Sequence, residues 1–108
     1  MSDTTADGYV TVIWQTTAKP GREADLKAFI IAAVTPSRND AGNIDYEAHE
    51  VEGHPGSFVI YERWLSRAHL DAHLSAGRMT ELVPQMLELI EGSIEDGISL
   101  IRPLRPAN

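Results

Sequence analysis

The sequence lacks cysteine entirely and contains no long apolar run. Without cysteine the chain cannot form disulfide bonds, use a thiol nucleophile or hold a metal through cysteine ligands. No apolar stretch approaches the ~20 residues that a membrane-spanning helix requires. The first eight residues also lack the basic and apolar regions of a secretory signal peptide. We therefore expect a cytoplasmic protein that does not insert into a membrane.

Basic residues are scarce, since nine Lys and Arg stand against 16 Asp and Glu and leave a net charge of −7. This charge disfavours binding to nucleic acid or to an anionic membrane surface. The sequence also lacks glycine-rich nucleotide-binding loops, the HExxH zinc motif and the GxSxG nucleophile motif. The function must therefore come from a pocket that the fold creates, and no cofactor is expected.

The 108 residues suffice for one domain with a single core. Hydrophobic periodicity and turn residues divide the chain into strands and helices. Thr35 and Pro36 are expected to end the first helix, and Gly92 the last one. The predicted elements are a strand over 9–17, a helix over 22–34, a strand over 44–49, a strand over 58–65, a helix over 67–75, a helix over 80–91 and a strand over 93–104.

This order of elements, β-α-β-β-α-β, is typical of the ferredoxin-like α+β fold. Right-handed crossovers place the strands of the antiparallel four-stranded sheet in order 4-1-3-2, with the helices on one face. One domain is expected over 9–104, with flexible tails at 1–8 and 105–108. The strand faces that the helices cannot cover still carry apolar residues, which are Ile13, Val51, Val59 and Tyr61. An apolar sheet face favours a homodimer in which two sheets pack together.

Four short motifs occur in an order and spacing that match the predicted elements. They are Lys19-Pro20-Gly21, Gly42-Asn43-Ile44-Asp45-Tyr46, Tyr61-Glu62-Arg63-Trp64 and Ala72-His73-Leu74. Together they resemble the antibiotic biosynthesis monooxygenase (ABM) domain of the dimeric α+β barrel superfamily, and the resemblance covers nearly the whole chain. It implies a small homodimer. Several such domains oxidise anthrones, naphthols or quinols with molecular oxygen and use no metal, flavin or other cofactor.

Other members of the superfamily degrade heme or process small signalling molecules, and many have no demonstrated activity. The heme-degrading branch differs from this sequence at its functional positions. It has an asparagine where Trp14 stands, a tryptophan where His73 stands and an iron-binding histidine near Val83. The resemblance therefore disfavours heme degradation and leaves the substrate open.

His73 is the strongest candidate for a catalytic residue. It lies between Leu70 and Leu74 on the second predicted helix, so its ring is expected to face inward. A histidine can accept a phenolic proton near neutral pH as a general base. It can equally serve as a structural histidine that binds Glu62 or a backbone carbonyl. His69 stands four residues earlier, a spacing that can bind metal, but two ligands do not make a site, and no metal is expected.

Aromatic and apolar side chains are expected to line the substrate pocket. Trp14 and Trp64 offer flat indole rings that can stack on a polycyclic substrate, although both can instead be core residues. Phe29 on the first helix is expected to close one wall, and Met86 or Ile90 is expected to form the roof. Such a cavity, apolar with one or two polar groups, is typical of small-ligand sites.

Two polar residues complete the predicted pocket. Glu62 shares a strand face with Trp64, where a carboxyl must be paired or have a raised pKa. It can orient His73 or anchor the N-terminus of a helix. Tyr46 can donate a hydrogen bond to a substrate oxygen or simply pack against the sheet.

Three functions are compatible with these residues. The first is a cofactor-free monooxygenase that uses His73 to deprotonate a small electron-rich aromatic substrate before it reacts with oxygen. The second is a non-oxidative enzyme, such as an isomerase, that uses the same pocket on a small metabolite. The third is a ligand-binding or stress-related dimer without catalysis.

Overall fold

A computed structural model describes residues 9–104, 106 and 107. The predicted tail at 1–8, and residues 105 and 108 of the tail predicted at 105–108, lie outside the described residues. The elements are β1 (Val10–Thr17), α1 (Glu23–Arg38), β2 (Asn43–Glu50), β3 (Ser57–Trp64), α2 (Arg67–Leu74), α3 (Met79–Leu87), a 3-10 turn (Glu95–Gly97) and β4 (Ile98–Ile101). Among the described residues, none of these helices is long and apolar enough to cross a bilayer.

The four strands form one antiparallel sheet in the order β2-β3-β1-β4. This is the predicted order, read from the opposite edge, and it confirms the ferredoxin-like α+β fold. β1 pairs with β3 along all eight of its residues, from Val10 opposite Trp64 to Thr17 opposite Ser57. β4 is much shorter and pairs with β1 only from Thr11 to Trp14. The long pair of β1 and β3 therefore forms the centre of the sheet.

The two faces of the sheet differ in burial. The face toward the helices carries the core, which combines strand residues with two buried residues of α1, Leu26 and Ile30. The strand members of this core are Val12, Trp14, Tyr46, Phe58, Ile60 and Trp64. On the outer face Ile13, Val59 and Tyr61 are only half-buried. Val51 was expected on this face, but it follows the end of β2 and lies outside the strand.

The predicted end of the first helix at Thr35 and Pro36 is wrong, because α1 continues to Arg38. Proline lacks the N–H that the helical ladder needs, so a helix interior usually excludes it. Tertiary contacts offset this cost in the last turn. Ser37 is buried, and Arg38 Nε donates to the Tyr46 carbonyl of β2 at 2.9 Å. The extra turn therefore packs against β2 and the site described below.

The predicted last helix and last strand are both too long. α3 ends at Leu87 rather than just before Gly92, because Ile90 instead bridges to Ala18 at the end of β1. β4 begins at Ile98 rather than at Ser93. The Ser93 hydroxyl accepts a hydrogen bond from the Asp96 amide, and this local bond favours the 3-10 turn over an extended strand.

Candidate active site

A cavity of about 510 Å³ lies between the helix-covered face of the sheet and the helices α1 and α3. Its volume is within the usual range for small-molecule sites. Most of its walls are apolar, and its polar groups are few. The apolar lining includes Val12, Trp14, Phe29, Ile30, Leu70, Leu82, Val83, Met86 and Ile94, and the polar lining includes Ser37, Tyr46, Glu62, His73 and Arg78.

His73 lines this cavity from α2 and is only 5% exposed. Ser66 caps the start of this helix, since its hydroxyl accepts from the His69 amide at 3.2 Å. The helix places the imidazole of His73 against the helix-covered face of the sheet. The indole ring of Trp64 lies 4.6 Å from it at a tilt of 32°, and the Tyr46 ring meets it edge-on at 6.0 Å. Aromatic rings therefore fix the plane of the imidazole.

Asp40 is the direct hydrogen-bond partner of His73. Its Oδ2 lies 2.7 Å from His73 Nδ1. The guanidinium of Arg78 binds both oxygens of the same carboxylate, at 3.0 Å to Oδ1 and 2.5 Å to Oδ2. The hydrogen bonds from Arg78 lower the pKa of Asp40, burial opposes this, and the bond to His73 lowers it further. Asp40 is therefore a carboxylate at neutral pH.

The loop between α1 and β2 brings Asp40 to α2. Gly42 in this loop has a φ of 83°, which favours glycine, and a Cβ there would collide with the His69 ring. The Gly42 carbonyl also accepts from the Leu65 amide at 2.8 Å. The loop therefore lies directly against the start of α2, and Asp40 reaches a histidine 33 positions away in the sequence.

Glu62 lies beneath His73 on β3 and is 6% exposed. Its Oε1 accepts from the indole Nε1 of Trp64 at 3.0 Å. The same oxygen is 3.9 Å from His73 Nε2, which is too long for a hydrogen bond. Burial raises the pKa of Glu62, and the Trp64 hydrogen bond and the charge of His73 only partly offset it. Of the two roles expected for Glu62, the structure places it beside His73 rather than at a helix N-terminus.

Tyr46 is 6% exposed and contributes a phenol to the polar end of the cavity. Burial raises its pKa to about 12, and the nearby charge of Glu62 adds to this effect. The phenol therefore stays protonated at neutral pH and can donate a hydrogen bond, but it is a poor base.

Helix α3 forms the remaining wall and is packed loosely. Its half-buried residues recur at helical spacing, and all of them line the cavity. They are Met79, Leu82, Val83 and Met86. No residue of α3 is fully buried. The apolar face of this helix therefore covers the cavity, and of its residues Met86 also packs against the core.

The sequence model of the antibiotic biosynthesis monooxygenase family matches residues 9–95. The chain belongs to this family. The matched region contains every cavity residue named above, so the site lies within the ABM domain.

Two curated relatives are similar to the chain. The uncharacterised protein sll1783 of Synechocystis is 31% identical over 85 residues, which are 79% of this chain and 58% of that protein. The chain thus spans little more than half the length of sll1783. Rv0793 of Mycobacterium tuberculosis, which has a provisional monooxygenase name, is 28% identical over 92% of this chain and 95% of its own length.

Solved structures of ABM-like proteins share the fold. The structure of Rv0793 superposes with a TM-score of 0.80 and covers 93% of this chain and 99% of that one. A structure described as an antibiotic biosynthesis monooxygenase is 25% identical with a TM-score of 0.79, over 89% of this chain and 99% of that one. PA3566 of Pseudomonas aeruginosa, at 24% identity and a TM-score of 0.78, covers 98% of this chain and all of its own, and shows the fold alone.

The structure of this ABM domain brings most of the residues predicted for the site to one cavity. These are Trp14, Phe29, Tyr46, Glu62, His73 and Met86. Trp64 is different, because it lies behind His73 and does not line the cavity. His69 is bound to Ser66 at 2.8 Å, and no cluster of three metal-binding side chains occurs in the described part of the chain.

Sequence reasoning missed Asp40 and Arg78. Asp40 lies in the loop after α1, and Arg78 lies directly before α3. Neither belongs to the four short motifs on which the family resemblance rests. The available signal was indirect: a buried histidine requires a polar partner, and Asp40 stands two residues before the turn at Gly42.

Proposed function

We propose that the protein is a cofactor-independent monooxygenase that oxidises a small electron-rich aromatic compound, such as a quinol or an anthrone, with molecular oxygen. The observation that carries this proposal is the placement of His73 at the polar end of a largely apolar cavity of about 510 Å³. Membership of the ABM family supports it. A flat aromatic body suits the apolar walls, and an acidic hydroxyl or methylene suits the histidine.

The proposed chemistry needs one proton acceptor and a dry cavity. His73 takes a proton from the bound substrate and leaves an electron-rich anion. This anion passes one electron to oxygen, the two radicals combine to form a peroxide anion, and this anion takes the proton back from His73 to give a hydroperoxide. For an anthrone, loss of water then converts the reacting methylene to a carbonyl. The protein contributes orientation and exclusion of water.

We also propose that two copies of the chain pack through their outer sheet faces. Ile13, Val59 and Tyr61 lie on that face, where no helix within the described part of the chain covers them. Interfaces of obligate homodimers often bury about 2,000 Å² or more in total. The partner in this proposal is therefore a second copy, and both cavities lie on the far sides of the paired sheets.

Oxygen uptake with a panel of quinols and anthrones tests the proposed reaction. We expect His73→Ala to keep the fold and to lower turnover about 10²-fold or more, as loss of a general base does. His54→Ala is the matched control, because His54 is an exposed histidine in the loop between β2 and β3. Unchanged turnover in folded His73→Ala contradicts the role of His73 as the base.

Two other outcomes assign a different function to the same cavity. Conversion of a panel compound without oxygen uptake indicates a non-oxidative enzyme. Binding of these compounds without any conversion indicates a ligand-binding dimer. Unfolding of the His73→Ala variant indicates that the histidine is structural.

A further inference from the structure

Asp40 makes hydrogen bonds to two separate parts of the site. Its carboxylate accepts from His73 Nδ1 of α2 and from both terminal nitrogens of Arg78, directly before α3. The Asp40 side chain is 20% exposed and the His73 side chain 4%. Such charge-assisted, partly buried hydrogen bonds are stronger and more directional than exposed ion pairs. One carboxylate thus contacts the candidate base and the segment that leads into the helix over the cavity.

The contact with Asp40 determines which nitrogen of His73 is free. The nitrogen that carries the proton in a neutral imidazole is set by the hydrogen bond made there, and a carboxylate on Nδ1 requires a proton on Nδ1. Nε2 is then left with its lone pair. Within the described residues Nε2 makes no hydrogen bond, since Glu62 is 3.9 Å away. Nε2 is therefore the atom that can take a proton from a ligand.

The contact with Arg78 affects the helix that covers the cavity. α3 has no buried residue, so few contacts hold it in place. Arg78 lies immediately before Met79, the first residue of α3, and its guanidinium is fixed by Asp40 on a loop that packs against α2. This two-point contact therefore fastens the start of α3 over the cavity.

We propose that Asp40 is a positioning residue with two tasks: it holds His73 with its proton on Nδ1, and it fastens α3 over the cavity through Arg78. The importance of the first task for catalysis rests on the proposed function. The two contacts themselves do not, so they can be tested without any substrate.

Nitrogen-15 NMR of the histidine rings tests the first task in the ligand-free protein. We expect the neutral ring of His73 to carry its proton on Nδ1 in the wild type and on Nε2 in Asp40→Ala. Asp45→Asn is the matched control, because Asp45 also binds an arginine, Arg63, but on the outer face of the sheet. A wild-type ring protonated on Nε2, or an unchanged ring in Asp40→Ala, overturns the proposal.

Hydrogen exchange of the α3 amides tests the second task. Both Asp40→Ala and Arg78→Ala are expected to raise exchange in α3 about tenfold or more, because local opening follows the loss of a fastening contact. Arg78→Ala should leave the proton of His73 on Nδ1, and Arg63→Ala should change neither property. Exchange that stays at the wild-type rate in Arg78→Ala overturns this part.

Two further measurements keep the result interpretable. If Asp40→Ala does not fold, Asp40→Asn replaces it, because the amide keeps the shape but loses the charge; unchanged ring protonation and unchanged α3 exchange in this variant then overturn the proposal. If a substrate is found, Asp40→Ala should lower kcat about tenfold or more, as loss of a group that orients a catalytic histidine does. If no compound is turned over, the proposed function fails, while the NMR and exchange results still decide the role of Asp40.

Discussion

Neighbouring residues of β3 lie in two contrasting environments. Ile60, Glu62 and Trp64 face the helices and are almost fully buried, whereas Val59 and Tyr61 face outward and are half-buried. The inner face holds a carboxyl without a charged hydrogen-bond partner. Its one hydrogen bond among the described residues comes from an indole.

On the outer face of β3, by contrast, a carboxyl has a charged hydrogen-bond partner. There Arg63 Nε donates to Asp45 Oδ2 of β2 at 2.6 Å, and both side chains remain one-third exposed. The charge of each residue is thus balanced near water. In the single chain, β3 therefore carries a buried carboxyl on one side and a water-accessible ion pair on the other.

The largest difference between the two faces is expected for the aromatic residues. Trp64 is fully buried, so Trp64→Ala should lower the free energy of unfolding by about 3–5 kcal/mol through lost burial and a cavity. Tyr61→Ala on the outer face should cost roughly 1 kcal/mol in the monomer. Urea unfolding at low protein concentration measures both. Equal losses in the two variants contradict the contrast between the faces.

A charge on the outer face should break the proposed dimer without unfolding the chain. Val59→Lys buries an unpaired ammonium group only when two sheets pack together, so the dimer dissociation constant should rise about 100-fold or more. Ala68→Lys adds the same charge on the exposed side of α2 and should have no such effect. Analytical ultracentrifugation measures both variants. A wild-type protein that is monomeric at micromolar concentration refutes the dimer itself.

The buried carboxyl should make stability depend on pH. Burial raises the pKa of Glu62 above its ordinary value of 4.5, so the unfolded chain releases this proton first as the pH rises. The stability contributed by protonated Glu62 is therefore present below that value and is lost as the pH rises through the folded pKa. Glu62→Gln stays neutral and should lose less stability over the same range.

Denaturant unfolding at acidic and at neutral pH measures this difference. His73, Tyr46 and Asp40 face the same end of the cavity and remain present in both proteins. Glu52→Gln, an exposed change in the loop between β2 and β3, is the control and should follow the wild type. If Glu62→Gln has the same pH dependence as the wild type, burial does not raise the pKa of Glu62 in the folded protein.

The smallest effect is expected for the ion pair on the outer face. In the monomer, Asp45→Asn removes the charge that binds Arg63, but both groups are accessible to water there, which screens their attraction. The expected loss is about 0.2–1 kcal/mol, and it should shrink further in high salt. Thermal unfolding at low and high salt measures it. A loss of unfolding free energy comparable to that of Trp64→Ala contradicts the small contribution expected of a water-accessible ion pair.

The order of the elements and the faces of the strands could be predicted from the sequence because they depend on local periodicity. Val12 and Trp14 alternate with Ile13, and this pattern assigns the inner face of β1 correctly. The inward position of His73 follows in the same way from the apolar residues around it, Leu70 in particular. Periodicity thus identified several of the residues that line the cavity.

Features that depend on contacts distant in sequence could not be predicted. Pro36 indicates a helix end, yet the burial of Ser37 and the bond from Arg38 to β2 extend α1 beyond it. Asp40 meets His73 only because a glycine turn presses its loop against α2. No local pattern contains these pairings, and they supply the polar end of the site.

The contact between Trp64 and His73 gives the protein a built-in optical signal. The two rings lie 4.6 Å apart, and a protonated imidazole at this distance accepts an electron from an excited indole and quenches its emission. The emission of Trp64 should therefore fall when His73 gains a proton and recover when it loses one. Trp14 is the only other tryptophan in the sequence. The Trp14→Phe variant would therefore keep Trp64, beside the histidine, as its single tryptophan. A fluorimeter could then follow proton movement at the candidate base in real time, without any label.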